Sequence, residues 1–196
     1  MFYSVLSFFL FACFCTISNS EIVPLAGNDW VLNVNQSYSV QGQVPGTVHT
    51  ILIAAKQIPD PYWGYDDVNL RYLVYSSWTF RKNFSLTPDF LALSQFTIHF
   101  DQIDTVANIT LNGCALGQTN SMFLAYTFNV PKSCLQSNNE LRIDFESPVV
   151  YAANQAKAYN DSVPPDCPPG VQHGECHVQF IRKEPCSFSW DWVRIY

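Results

Sequence analysis

The sequence predicts an all-β, antiparallel sandwich carried behind a secretory leader. Three observations predict it: short runs rich in β-branched and aromatic residues recur along the chain, Pro, Gly and Asn separate them, and apolar and polar residues alternate within several of the runs. A period of two puts successive side chains on opposite faces of a strand, so each run suits a sheet with one face on a core. Their number and spacing suit two packed antiparallel layers.

The leader comes first. Residues 1–15 are apolar and TISNS is small and polar, with Ser18 and Ser20 at the −3 and −1 positions before Glu21. That is the pattern of a cleaved secretory signal over residues 1–20, leaving residues 21–196 as one β-sandwich domain. An uncleaved anchor is the alternative, although the apolar run is short against the ~17–25 residues a membrane span needs. No later window is long and apolar enough to cross a bilayer.

The strands follow in order: WVLNV (30–34), SSWTFRKNFSL (76–86), SQFTIHFD (94–101), TVANITLNG (105–113), LAYTFNV (124–130) and NELRIDFES (139–147). In the third, Phe96, Ile98 and Phe100 oppose Thr97 and His99. In the fourth, Ala107, Ile109 and Leu111 oppose Asn108 and Thr110, and Asn112-Gly113 supplies a tight hairpin turn. The sixth sets Leu141, Ile143 and Phe145 on one face. One segment breaks the pattern: residues 47–60 carry Val48, Leu52 and Ala55 at helical spacing, after Pro45-Gly46 and before Pro59. Beyond Ser147 the period of two stops. YAANQAKAY suggests one or two helical turns, and an irregular, Cys-bracketed loop follows, of the kind that is functional when it sits in a compact domain.

Charge and cysteines narrow the functional classes. The net charge is −6 with acidic and basic residues mixed, which argues against nucleic acid, whose binding needs a clustered basic footprint. Four sequons, at Asn35, Asn83, Asn108 and Asn160, are candidate glycan sites in a chain entering the secretory route. Five of the seven cysteines lie after the leader, an odd number that leaves one thiol over. Cys167 and Cys176 bracket a Pro- and Gly-rich stretch and read as a local disulfide worth about 2–3 kcal/mol of loop closure. A metal site using His173, Cys176 and His177 is the rival, but its spacing matches no standard zinc framework. No G-x-S-x-G elbow or phosphate-binding Gly-rich loop is present, and His49 reads as a packing or surface residue.

The informative cluster is FIRKEPCSFSWDWV (180–193). On a strand Trp190 and Trp192 share one face and Asp191 points to the other. Aromatic faces beside a carboxylate suit a carbohydrate, and two core tryptophans beside a solvated Asp are the bland alternative. Glycoside hydrolysis needs a carboxyl pair about 5–5.5 Å or about 6.5–9.5 Å apart. No pattern in this sequence pairs two of Asp66, Asp67, Asp101, Asp104, Glu175, Glu184 and Asp191.

Taken in order, VPGTVHTIL (44–52), IPDPYWGYDD (58–67), WTFRKNF (78–84), residues 101–123, ESPVVYA (146–152), PPDC (164–167) and GECHVQFIRKEPCSFSWDW (174–192) cover nearly all of residues 21–196. Through them the chain resembles the N-terminal sugar-binding-type domain of the lysosomal β-mannosidases, in the family 2 glycoside hydrolase superfamily. The resemblance implies a jelly-roll-like, galactose-binding-domain-like sandwich with a short helix and a long disulfide-stapled loop. It implies a retaining exo-glycosidase that removes terminal β-mannose, with both catalytic glutamates on a (β/α)₈ barrel that this chain lacks, so the chain alone holds no catalytic residue. A stand-alone carbohydrate-binding module and a ligand-free structural sandwich are the competing readings. By the resemblance Asp191 bonds mannose hydroxyls, Trp190 and Trp192 position it and wall the pocket, Arg182 organises the loop or touches substrate, and Cys167 pairs with Cys176. It implies no cofactor and no metal, a β-mannoside oligosaccharide as substrate of the full enzyme, the barrel as packing partner, and lysosomal rather than secreted destination. One departure stands out: the family continues after the second tryptophan with Gly-Pro and a further loop before the closing strand, whereas here Trp192 runs straight into Val193–Tyr196. The closing strand is therefore expected to be perturbed.

Overall fold

The computed structural model describes residues 21–34, 38–164 and 175–188. Among the described residues eight strands form two antiparallel sheets: β1 Gly27–Val34, β2 Tyr38–Val44, β3 Trp78–Ser85, β4 Thr97–Phe100, β5 Val106–Leu111, β6 Cys114–Asn120, β7 Tyr126–Asn129 and β8 Asn138–Phe145. Six build the larger sheet in the order β2-β1-β3-β8-β5-β6, and β4 pairs β7 in the smaller one. The chain leaves the large sheet after β3 and after β6, and β8 returns between β3 and β5 to become a central strand.

Register follows from which residues must face inward. β3 and β8 pair over their whole length, from Trp78 opposite Phe145 to Ser85 opposite Asn138. Phe80, Ile143 and Ile109 thereby line up across β3, β8 and β5, with Leu141 beside Leu111. All five are buried, and Leu111 and Leu141 are wholly so. A slip of one residue would turn this set to solvent and bring Arg81, Arg142 and Asp144 inward, which burial energetics forbids. On the outward face Thr79 Oγ1 donates to Asp144 Oδ1 at 2.6 Å, and Arg142 grips the same carboxylate through Nε and Nη2.

Two edge strands lie outside the expected set. β2, YSVQGQV, buries only Gly42, because the helix α1, Val48–Ala54, crosses it so closely that a Cβ there would lie 2.8 Å from Ile51 Cδ1. β6, CALGQTN, has Gly117 beneath the Phe128 ring of β7, where a Cβ would lie 2.4 Å from Cε1. Its inward Thr119 is 1% exposed, and the hydroxyl donates to the Thr105 carbonyl at 2.8 Å. Gly42 interrupts the alternating face that Val40 and Val44 of β2 present to the core, and Gly117 and Thr119 put small and polar groups at the inner positions of β6. The β5–β6 hairpin turns at Asn112-Gly113 as expected, with both residues at positive φ, 50° and 81°.

Helices fill the ends. α1, Val48–Ala54, is shorter than the 47–60 segment suggests; Thr47 caps it through a reciprocal box with Thr50, and it buries Ile51 and Leu52. Short turns follow at α2, Asp66–Asn69, and α3, Pro88–Leu91. α4, Pro148–Ala158, extends the one or two turns expected there to eleven residues. It starts at Pro148 with Ser147 as cap, the Ser147 hydroxyl accepting from the Val150 amide.

A disulfide joins Cys114 to Cys134 with Cα atoms 6.0 Å apart. The cysteine spacing points to a further pair, Cys167 with Cys176. Cys176 is also disulfide-bonded; its partner is not among the described side chains, and Cys167 lies outside the described residues.

Candidate functional site

Of the residues the sequence nominates for sugar contact, Arg182 is described, while Trp190, Asp191 and Trp192 lie outside the described residues, as does the sequon at Asn35. What can be built from the residues upward is the seat on which residues 175–188 are held, immediately before Trp190. Four independent contacts fix it.

The first contact is backbone pairing. Arg182 forms a parallel bridge with Ser121, and the Met122 amide donates to the Arg182 carbonyl at 3.0 Å. This leaves the Arg182 side chain exposed, with its guanidinium 5.7 Å from the centre of the Phe123 ring. That distance is within cation–π range. Both Phe123 and Leu124 beside it are more than half exposed.

The second is an ion pair. Lys183 is 7% exposed, and its ammonium bonds Asp104, which in turn accepts from the Thr105 hydroxyl. A buried ammonium is tolerated only with such a partner. Its charge also reaches His49 on α1, whose pKa is lowered from its ordinary value, mainly by burial and further by the Lys183 charge.

At the start of the segment Glu175 provides the third. Arg71 Nε donates to Glu175 Oε1 at 2.6 Å, the carboxylate being 8% exposed and the guanidinium 30%. Hydrogen bonding to Glu175 raises the Arg71 pKa. The Tyr75 phenol is raised too, first by burial and then by its hydrogen bond to Glu175. The Glu175 amide donates to the Phe188 carbonyl at 2.8 Å, closing residues 175–188 into a loop with neighbouring ends.

The fourth contact is apolar. Ile181 and Phe188 join Val74, Val149 and Ala152 in a small core of their own beneath α4, separate from the main one. Sequence reasoning missed Lys183, Asp104, Arg71 and Glu175 as a set, because ion pairs between residues 79 and 104 positions apart leave no local signal.

These contacts pair two of the acidic side chains considered above, Asp104 with Lys183 and Glu175 with Arg71; elsewhere the exposed Asp101 Oδ1 lies 3.3 Å from His99 Nε2. Among the described residues no group of three or more His, Cys, Asp or Glu could hold a metal ion. An open groove of about 740 Å³ lies between β2 and α1, bordered by Gln41, Gly42, Thr50, Ile51 and Gln57, and it shares no residue with segment 175–188. Asn83, Asn108 and Asn160 are all exposed, the first two on the outward face of the large sheet.

The fold of two antiparallel sheets, with residues 175–188 clamped at the edge of the larger one, is that of a known class of domain. Residues 30–196 match the family described as glycosyl hydrolase 2 galactose-binding domain-like, and the chain belongs to that family. Its relatives narrow the class further. It is 40% identical over 171 residues to the β-mannosidase of Bos taurus, a match covering 87% of this chain and 19% of that protein. It is 34% identical to a probable β-mannosidase of Caenorhabditis elegans, over 93% of this chain and 21% of that one. The crystal structure of the β-D-mannosidase of Dictyoglomus thermophilum superposes with a TM-score of 0.79 at 34% identity, over 89% of this chain and 21% of that chain. The chain thus spans about a fifth of the length of these relatives.

Proposed function

We propose that this domain serves a family 2 β-mannosidase that removes terminal, non-reducing β-mannose from oligosaccharides with retention, and that the 196-residue chain alone does not turn substrate over. The observation that carries the reading is the joint match in sequence and backbone to β-mannosidases over nearly the whole domain. In this reading Asp191 bonds mannose hydroxyls, with Trp190 and Trp192 setting its position, while Arg182 keeps the approach in place by its bridge to Ser121 and its stacking on Phe123. The clamps Lys183–Asp104 and Arg71–Glu175 support that role, since a sugar-contacting carboxylate needs rigid backing. The domain works in the lysosome after passage through the secretory route with residues 1–20 removed. Glycans sit at its sequons, and Cys167 is the partner of Cys176.

The test is a paired assay on the secreted chain. Hydrolysis of a chromogenic β-mannoside should be at background, and turnover above background that is lost in Asp191→Ala would contradict inactivity of the isolated chain. Direct binding of methyl β-mannoside, lost in Asp191→Ala, would instead favour a self-sufficient carbohydrate-binding module. Asn83→Gln and Asn108→Gln should each remove one glycan step in gel mobility if those sequons are used.

A further inference from the structure

The outward face of the six-stranded sheet holds an open depression of about 410 Å³, and Val31, Asn33, Arg81, Asn83 and Glu140 are among the residues that border it. That volume falls in the ~300–1,000 Å³ range of small-ligand sites. Sheet register brings the group together. Arg81 and Asn83 are two residues apart on β3 and so share a face at ~7 Å. Glu140 of β8 stands directly opposite Asn83, and Val31 of β1 directly opposite Arg81.

Arg81 is poorly served by its neighbours. Opposite it on β8 is Arg142, a like charge, which has taken Asp144 with three hydrogen bonds. Asp29, also at the rim, is taken by the buried ammonium of Lys82. Arg81 is left with Glu140, whose Oε2 is 4.0 Å from Nη1, and its Nε is buried without a hydrogen-bond partner. A guanidinium has five N–H donors, so this one has capacity to spare, and a buried unpaired donor marks a place where an acceptor is missing. The charges around the depression cancel, Asp29 against Lys82 and Glu140 against Arg81. Such a surface suits a neutral, polar ligand rather than an ion.

The same depression contains a point of attachment for a ligand of that kind. Asn83 is exposed and begins the sequon Asn83-Phe84-Ser85, whereas neither Asn108 nor Asn160 borders the depression. We propose that the depression is the seat of the first N-acetylglucosamine of a glycan carried on Asn83. Its acetamido carbonyl accepts from Arg81, a ring hydroxyl donates to Glu140, and its apolar face covers the half-buried Val31. In the attachment step the Asn83 amide nitrogen forms the bond to C1 of the sugar and loses a proton, and the polyprenyl diphosphate that carried the oligosaccharide leaves. Once tethered, the sugar meets Arg81 at high effective concentration, without the entropic cost of free association. The inference rests on the secretory routing in the functional reading above and is independent of any activity on mannosides.

The experiment secretes the 196-residue chain from a host that builds high-mannose glycans, with Asn35→Gln, Asn108→Gln and Asn160→Gln leaving Asn83 as the remaining sequon. Mass spectrometry of the wild-type chain reads occupancy at each sequon. Endoglycosidase H then trims the glycan to a single N-acetylglucosamine, and urea unfolding compares this form with the bare Asn83→Gln chain. The single sugar should raise the folding equilibrium constant about five- to thirtyfold. Arg81→Met should shrink that gap to less than about twofold. A purely structural Arg81 would shift both forms alike and leave the gap intact, which overturns the proposal, as does the lack of any gap in the parent pair. If the triple variant is not secreted, the wild-type chain and Asn83→Gln alone, both trimmed, provide the same comparison. A chain glycosylated elsewhere but bare at Asn83 overturns the seat alone. A chain bare at every sequon overturns it together with the secretory routing.

Discussion

Removing the Cys114–Cys134 disulfide through the double substitution Cys114→Ala, Cys134→Ala should lower the unfolding free energy by about 3 kcal/mol, the chain-entropy value for a loop of about 20 residues. The bond spans a sequence separation of 20 and ties the tip of the β5–β6 hairpin to the β7–β8 connection. Its native geometry should survive, because Asn112 holds the same two segments together. The Asn112 amide donates to the Cys134 carbonyl at 2.7 Å and to Asn139 Oδ1 at 2.8 Å, and its oxygen accepts from the Glu140 amide at 2.8 Å. The loss therefore falls mainly on the unfolded state, which gains freedom and exposes more surface, so the urea dependence should steepen slightly. For a domain of this size about 3 kcal/mol corresponds to a fall of about 6–12 °C in Tm. Urea and thermal unfolding of the secreted chain followed by tryptophan fluorescence, with the Cys176 disulfide left intact, would read both. A loss below about 1 kcal/mol, or a full loss accompanied by rearranged hairpin amides in hydrogen exchange, would refute the reasoning.

Three further outcomes follow from particular contacts. Gly117→Val forces a Cβ against the Phe128 ring and should cost about 1–3 kcal/mol in urea unfolding, with partial recovery when Phe128→Leu is added. Asp104→Asn leaves the Lys183 ammonium buried without its counter-charge. Because Asp104 is itself 40% exposed, the loss should sit near or just below the low end of the ~3–5 kcal/mol range for broken buried pairs, whereas Lys183→Met should cost less. His49 has a folded pKa below its ordinary 6.5, so the unfolded chain binds the proton first and stability falls as pH drops through about 6.5 towards the folded value. His49→Gln should flatten that part of the Tm-against-pH curve, and an unchanged slope would remove His49 as its source.

Much of this architecture is legible in the residues because it depends on local periodicity. Strands β1, β3, β4, β5, β7 and β8 overlap the six apolar runs, and the Asn112-Gly113 turn is where a two-residue hairpin requires positive φ. The resemblance carried by the ordered motifs from VPGTVHTIL to the Trp190–Trp192 stretch reaches the same family as the match over residues 30–196. Strands β2 and β6 lie outside those six runs: each has its apolar face interrupted by a glycine, Gly42 beneath Ile51 and Gly117 beneath Phe128, and that requirement comes from what presses on the strand.

The sequence by itself determined the fold class, the family and the alternation that sets sheet register, because each is written in residues close together along the chain or in motifs kept in order. Only the tertiary structure decided that Cys114 bonds Cys134, that Lys183 and Glu175 are clamped by Asp104 and Arg71, and that Trp63 and Tyr65 are left largely exposed. Those are choices among partners distant in sequence. They depend on which surfaces the packed sheets bring within a few ångströms of each other, a distance that no local pattern encodes.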